Sequence, residues 1–135
     1  MNWTNWLGNN KQMKMMFSEP PSLVNVLLHE VRLLIDGQVM YVRFDLGSFP
    51  NSPPLKWVAS GFNRVQMTLG LLGISETQIS GWSLINIGSI KFTNEGETIR
   101  FLFENNESYI TCAARFANIV SLTGYCDSEK PNTLC

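Results

Sequence analysis

His29 is the single histidine of the 135-residue chain, and histidine is the side chain that most often serves as a general base or a metal ligand near neutral pH. One histidine excludes a metal site built from several imidazoles, and it would have to be the base of any nucleophile–base pair. The surrounding residues, "LLHEV", are typical of a strand. We therefore interpret His29 as an imidazole at a solvent-facing or hydrogen-bonded strand position rather than as a catalytic group.

The cysteines offer little more chemistry. Cys112, Cys126 and Cys135 are an odd number without metal-ligand spacing, which fits reduced thiols better than a disulfide framework, although a bridge from Cys126 to Cys135 is geometrically possible. Cys112 lies in an apolar strand context and is interpreted as a core thiol. The sequence also lacks a Gly-rich phosphate loop and the patterns GxSxG and HExxH. We expect no enzymatic activity, no cofactor and no metal.

The overall charge argues against nucleic acid as a partner. The net charge is −1, whereas proteins that bind phosphate backbones normally carry a basic stripe. The first residues, "MNWTNWLGNNKQ", show neither a cationic segment nor an apolar one, so no signal peptide is visible. No apolar run approaches the roughly 20 residues that a membrane span requires. The sequence thus predicts a cytoplasmic protein that binds neither nucleic acid nor membrane.

Four glutamates cluster around one predicted strand near the carboxyl-terminal end: Glu95, Glu97, Glu104 and Glu107. They can be a solvated sheet edge that charge keeps soluble and unpaired. Alternatively, they attract a basic partner and accelerate its association at low salt. Trp57 and Trp82 are the candidate anchors of such an interface, because a tryptophan is often an interface hot spot, although Trp57 fits a core position better.

The hydrophobic pattern predicts a predominantly all-β fold. Residues 23–46 indicate a β-hairpin around Asp36-Gly37, and residues 63–72, 77–87, 89–92 and 98–104 indicate further strands. Residues 108–125 indicate a long, bent last strand, and Pro53 to Gly61 a rigid loop that carries Trp57. We expect one domain over residues 1–135, an antiparallel meander of about seven strands that forms a sandwich or a half-open barrel. A short helical segment lies within the lead-in over residues 1–20, and residues 127–135 form a polar tail.

Six short segments, in this order, carry a resemblance to a known family: "FSEPPSL" at 17–23, "LLIDGQVMYVRFDL" at 33–46, "PPLKW" at 53–57, "FNRVQMTL" at 62–69, "ISGW" at 79–82 and "VSLTGY" at 120–125. Together they resemble the immunity protein 50 family of bacterial polymorphic toxin and contact-dependent growth inhibition systems. The resemblance spans nearly the whole chain, from about Trp3 to Tyr125.

The resemblance implies a small cytoplasmic protein that binds the C-terminal domain of one cognate toxin and blocks it without catalysis. It implies no site residues, so the four glutamates with Trp57 and Trp82 stay hypotheses from the residues themselves. A different class is also open at this point, namely a β-rich ligand-binding module with an apolar pocket. The oligomeric state is left open.

Overall fold

The computed structural model of the chain describes residues 7–8 and 11–127. Within these residues, two short helices and eight strands follow one another as α1 (Lys11–Met16), β1 (Val26–Leu34), β2 (Val39–Asp45), α2 (Leu55–Ala59), β3 (Arg64–Leu72), β4 (Ser75–Ser80), β5 (Asn86–Glu95), β6 (Thr98–Glu104), β7 (Tyr109–Ala114) and β8 (Phe116–Tyr125). No described helix has the length and apolar character that crossing a membrane requires.

The strands form one antiparallel sheet in the order β4-β7-β6-β5-β1-β2-β3-β8, and this sheet is not closed into a barrel. The prediction of a predominantly β, antiparallel fold with a short helix near the amino terminus is confirmed. The strand number is eight within the described residues rather than about seven, because the long last strand is divided at Arg115. The backbone N–H of Arg115 turns away to donate to Leu72 O at 2.8 Å, which interrupts the strand between β7 and β8.

The hairpin that joins β1 to β2 is formed as the sequence predicts. Gly37 has a φ of +80° and Gln38 a φ of +49°, so the turn uses the left-handed conformation that a glycine adopts without strain. The pairing continues with one irregularity between Leu28 and Glu30, where His29 is the extra residue of a β-bulge. This bulge positions the imidazole of His29.

Strand β5 changes its partner along its length. Its first three residues pair with Val26 to Leu28 of β1, and from Ser89 onward it pairs with β6. Gly88 lies at this change, where a Cβ would come within 2.4 Å of the carbonyl oxygen of Glu104. The start of β5 is therefore fixed against both β1 and the end of β6. The loop between β4 and β5 consequently lies between β1 and the end of β6.

One face of the sheet forms the hydrophobic core, because alternate residues of each strand point to the same side. Strand β2 illustrates the alternation, since Met40, Val42 and Phe44 are fully buried while Val39 and Tyr41 are only partly so. The largest fully buried side chains are Phe44, Phe101, Phe103, Met13, Met40, Leu46, Met67, Leu69, Leu71, Val26, Val42 and Val65. Met13 belongs to α1, which covers this core.

Two local predictions about secondary structure are wrong. Residues 55–59 form the helix α2 within the segment predicted as a loop, with Trp57 as its buried residue. Residues 81–85 form a loop rather than the middle of a strand, so Trp82 lies between β4 and β5. Both segments are too short to show a hydrophobic period.

The structure also bears on the predictions for the amino-terminal segment and for the cysteines. Leu7 forms an isolated parallel bridge with Ala117 of β8, which is extended rather than helical structure. Cys112 is free and buried, as predicted, whereas Cys126 is disulfide-bonded, so the expectation of a reduced thiol is wrong there. Trp3 and Cys135 lie outside the described residues.

Candidate functional site

A hydrogen-bonded polar network lies on the sheet face opposite the core, around a carboxylate that is fully buried. Asp45, the last residue of β2, is 0% exposed and shares its side of the strand with Arg43. Its Oδ2 accepts a hydrogen bond from the Tyr125 hydroxyl and lies 2.9 Å from His29 Nε2. Its Oδ1 accepts from Gln66 Nε2 at 3.3 Å. A buried carboxylate requires such partners, since leaving its charge unsolvated would cost several kcal/mol.

The β-bulge explains how His29 reaches this carboxylate. Asp45 is the cross-strand partner of Leu27 rather than of His29. The extra residue in β1 re-aims the imidazole toward β2, and its side chain keeps 30% of its surface exposed. His29 thus occupies the hydrogen-bonded strand position that the sequence suggests, at the border between the network and solvent.

The network continues through neighbouring strands. Gln66 Oε1 accepts from Arg43 Nη1 at 3.2 Å, and Arg43 Nε lies 3.7 Å from Glu30 Oε1. The pKa of the Tyr125 hydroxyl is raised above its ordinary value, first because burial disfavours the phenolate and then because the hydroxyl donates to the charged Asp45. Side chains from β1, β2, β3 and β8 are connected in this way, which fixes their register on this face.

Beside this network, an exposed apolar surface is formed by the loop between β4 and β5 and the start of β5. Its apolar side chains are Trp82 (69% exposed), Leu84 (100%), Ile85 (65%) and Ile87 (49%). A contiguous group of large apolar side chains in solvent marks an interaction site more often than an isolated one does. We call these four residues the Trp82 surface.

The loop that presents Trp82 is held by specific contacts. The Ser83 hydroxyl donates to Asn86 Oδ1 at 2.9 Å, and Asn86 Nδ2 donates back to the Ser83 carbonyl at 2.7 Å. Gly81 has a φ of +78°, and a Cβ there would lie 2.2 Å from the carbonyl oxygen of Glu107. The loop is therefore packed directly against the turn between β6 and β7.

The structure divides the four glutamates into two pairs. Glu104 and Glu107 flank the Trp82 surface, whereas Glu95 and Glu97 lie at the hairpin turn at the other end of β6. The seven residues of β6 separate the pairs by roughly 20 Å. Each pair contains one ion-paired member, since Glu104 lies 3.3 Å from Lys91 Nζ and Glu95 lies 3.1 Å from Arg100 Nη2.

The two tryptophans also separate. Trp57 is 8% exposed and packs in the core cluster, where its ring centroid lies 6.4 Å from that of Phe49 and the two ring planes are tilted by 50°. A Cβ on Gly124 would come within 2.8 Å of the Trp57 ring, so the helix α2 approaches β8 closely. Of the residues proposed from sequence, the structure therefore brings together Trp82, Glu104 and Glu107, and places Trp57, Glu95 and Glu97 elsewhere.

Two further features concern ligands. An apolar pocket of about 300 Å³ lies at the tip of the β1–β2 hairpin and is lined by Leu33, Leu34, Ile35, Gln38, Ile74 and Thr77. Within residues 7–8 and 11–127, no group of three His, Cys, Asp or Glu side chains is arranged to hold a metal ion.

Sequence reasoning missed the polar network. Asp45 and Tyr125 are 80 positions apart, and only the order of strands β2, β3 and β8 brings them together. One signal was available, because "VRFDL" places a carboxylate in the middle of an apolar strand pattern, where burial of a charge requires a partner. The bulge at His29 has no comparable signal in the sequence.

Comparison with known proteins identifies a family. The family model described as Immunity protein 50 matches residues 9–125. No curated protein and no solved structure matches the chain significantly.

Proposed function

The chain belongs to the immunity protein 50 family, and on that premise we propose that it binds one cognate toxin domain and neutralises it by a non-catalytic protein–protein interaction. One observation carries this function, namely the family match over residues 9–125. The toxin is taken to be the C-terminal domain of a bacterial polymorphic toxin or contact-dependent inhibition protein. This protein would bind it in the cytoplasm of the cell that produces the two proteins.

We place the toxin-binding site on the Trp82 surface. A standard protein–protein interface buries roughly 1,600 Å² in total and has a few large anchors inside a polar rim. Trp82 and Leu84 supply exposed anchors, and Glu104 and Glu107 supply an acidic rim. Trp57 is buried already and contributes to the core instead.

The rim predicts the charge of the partner. Glu107 has no ion pair with a described residue, and the Glu104 side chain, although it lies 3.3 Å from Lys91 Nζ, is 44% exposed to a partner. Acidic rim residues accelerate association with a basic protein and make it sensitive to salt. We therefore expect the toxin surface that meets this site to be basic.

The first test is calorimetric titration with the C-terminal domain of the large protein encoded next to this one. A dissociation constant near 1 nM corresponds to about −12 kcal/mol, which is the range in which an inhibitor holds its target at low cellular concentration. Tight 1:1 binding that abolishes the activity of the domain is the expected result. Absence of binding at micromolar concentrations removes that neighbour as the target.

The second test maps the site with a matched pair of double variants. Glu104→Gln with Glu107→Gln removes the charges beside Trp82, and Glu95→Gln with Glu97→Gln removes the equivalent pair at the far end of β6. We expect the first variant to slow association and flatten its salt dependence, and the second to change neither. Equal effects of both variants would contradict the placement of the site on the Trp82 surface.

A second candidate function is favoured by the hairpin-tip pocket, whose volume of about 300 Å³ is at the lower end for small-molecule sites. In this alternative, the protein is a ligand-binding module. Replacement of Leu34 by Glu should then abolish ligand binding and leave toxin binding unchanged. Thermal-shift screening of small apolar molecules against both forms distinguishes the two functions.

A further inference from the structure

One edge of the sheet is open within β1. Strand β5 pairs with β1 only over Val26–Leu28, and from Ser89 onward it pairs with β6 instead. On the side away from β2, the rest of β1 has no main-chain partner among the described residues. The N–H and C=O groups along that side can therefore pair with a further strand. We call residues Glu30–Leu34 the free edge of β1.

Strand β4 and the loop that follows it run alongside this free edge. Thr77 of β4 lines the pocket at the hairpin tip together with Leu33, and Trp82 lines a smaller pocket together with Glu30 and Val31. A crevice therefore lies between β1 and β4. Its volume is about 300 Å³ at the hairpin tip and only about 20 Å³ beside Trp82.

The crevice exposes side chains that belong to the core side of the sheet. Leu33 is paired with Met40, which is paired with Leu71, and both partners are fully buried, yet Leu33 is 48% exposed. On β4, Ile79 is paired with the buried Ile110, yet Ile79 is 43% exposed. Directly paired residues point to the same face of a sheet, so two rows of core side chains end at the crevice. An apolar side chain placed there would extend the core.

The two sides of the crevice differ in how well they resist pairing. Natural edge strands are often protected by a charge or a β-bulge. Strand β4 has both, because Glu76 has a φ of +50° and the register shifts between Ser75 and Gln78. Over Glu30–Leu34, by contrast, the register with β2 is regular. The free edge of β1 is therefore the side that can accept a strand.

The shape of the crevice selects its occupant. In a two-fold pairing of two free edges, the Trp82 loop of each copy would occupy the place of the other copy's strand beside Glu30 and Val31. A single extended segment needs only the spacing of one strand, about 4.8 Å, and can enter from the wide end at the hairpin tip. The crevice thus suits an extended segment of another protein better than a second copy of this chain.

We infer that the crevice receives an extended segment of the toxin domain, which pairs through its main chain with the free edge of β1 and places an apolar side chain against Leu33. The source of the segment rests on the proposed function. Main-chain hydrogen bonds would supply affinity, and the alternation of the segment's side chains would supply specificity. A toxin that contacts the Trp82 surface would reach the crevice directly, because Trp82 stands at its narrow end.

Hydrogen exchange in the complex with the toxin domain tests the pairing at single amides. Amides of the free edge that exchange rapidly in the free protein should be slowed roughly tenfold or more when the toxin domain is bound. Unchanged exchange in a complex that does form would overturn the inference. Slowing that appears without toxin and grows with protein concentration would overturn the toxin as the occupant and indicate a second copy.

Two adjacent residues provide matched variants. Leu33 and Leu34 are similarly exposed, at 48% and 41%, but as neighbours in a strand they point to opposite faces. Leu33→Glu should weaken toxin binding roughly tenfold or more, because it places a charge on the core side, and Leu34→Glu should change it little. Equal effects would contradict strand addition, since both residues line the hairpin-tip pocket and a small-molecule site would be sensitive to both. If Leu33→Glu fails to fold by circular dichroism, the exchange measurement on the unaltered protein decides.

A blocked hexapeptide of alternating valine and threonine tests the free edge without any toxin. We expect it to shift the amide signals of the free edge in two-dimensional NMR spectra, with saturation in the millimolar range. The same peptide with every main-chain amide N-methylated keeps its side chains but has no N–H donors, so it should not saturate. Equal binding of both peptides would overturn the inference, because the main chain would then not be recognised.

The outcome is separable from that of the proposed function. Binding of the unmethylated peptide alone, together with failure of every toxin domain to bind, would refute the immunity role and retain the strand site. Toxin binding with unchanged exchange at the free edge and no effect of Leu33→Glu would retain the immunity role and refute strand addition.

Discussion

The buried carboxylate of Asp45 allows a quantitative prediction for the variant Asp45→Asn, which keeps the shape of the side chain and removes its charge. Three donors converge on Asp45, two at Oδ2 and one at Oδ1. The amide nitrogen of the new side chain will therefore take the place of Oδ1, where Gln66 can turn its own amide to accept from it. The bonds from Tyr125 and His29 remain but lose the contribution of the charge.

The expected loss of stability in Asp45→Asn follows from these two hydrogen bonds. A hydrogen bond to a charged group contributes about 1.5–3 kcal/mol, and a neutral bond about 0.5–1.5 kcal/mol, so each loses about 1 kcal/mol. Turning Gln66 also removes the acceptor of Arg43, but that side chain is 36% exposed and can bond to water instead. We expect Asp45→Asn to lower the free energy of unfolding by about 2 kcal/mol and the melting temperature by roughly 6–8 °C.

Urea denaturation followed by far-ultraviolet circular dichroism measures this change, with an unchanged m-value showing that the unfolding reaction is the same. Glu97→Gln is the matched control, because it makes the same chemical change at an exposed turn and should stay within about 0.5 kcal/mol of the parent. A double-mutant cycle with Tyr125→Phe should give a coupling of about 1 kcal/mol. Identical midpoints for Asp45→Asn and the parent would refute the reasoning, since the charged network would then contribute no more than a neutral one.

Three further predictions concern pH and close packing. Burial raises the pKa of the Cys112 thiol to about 11, so the stability that the neutral thiol contributes is present below pH 9 and is lost as the pH rises through 11. The stability difference between the parent and Cys112→Ala, from urea denaturation, should shrink by about 2 kcal/mol between pH 9 and pH 11. The raised pKa of Tyr125 acts in the same direction above pH 10, and Tyr125→Phe should remove its share of the alkaline loss in the same measurement. Gly81→Ala should lower the free energy of unfolding by at least about 2 kcal/mol and alter the Trp82 fluorescence. Gly96 is the control, because its φ of +82° is similar and no atom lies within 4 Å of the added Cβ. Gly96→Ala should lower the free energy of unfolding by about 1 kcal/mol and leave the fluorescence unchanged.

The parts of the fold that could be predicted from sequence are those whose information is local. Residues 98–104 alternate in hydrophobicity and are flanked by turn residues, and the structure places β6 over the same residues. The Asp36-Gly37 turn likewise fixes its hairpin. The helix α2 was missed because its Trp57 is buried against Gly124 of β8, which is distant from it in the sequence. A five-residue helix has no periodic signal to compete with the prolines before it.

The candidate site was predictable only in part, for a related reason. The composition of the Glu95 to Glu107 segment indicated an acidic region, but its division into two ends depends on β6 being a straight strand between two turns. The exposure of Trp82 depends on Gly81, whose positive φ ends β4 and directs the chain over the β6–β7 turn. The contacts among Asp45, His29 and Tyr125 require the bulge and the full strand order, which no local pattern encodes.

The construction of the Trp82 loop bears on how tightly it can bind. Ordering a loop on association costs about 0.5–1.5 kcal/mol for each side chain that is immobilised, and this cost is subtracted from the contact energy. Here the Ser83–Asn86 hydrogen bonds and the close approach of Gly81 to Glu107 order the backbone before any partner arrives. The exposed side chains of Trp82, Leu84 and Ile85 are therefore presented on a fixed frame, between a strand held by β1 and a turn held by β6 and β7. A rigid loop of this kind favours binding to one complementary surface. Its rigidity lowers the entropic cost of binding the partner that fits, and it raises the free energy of binding any partner to which the loop would have to adapt.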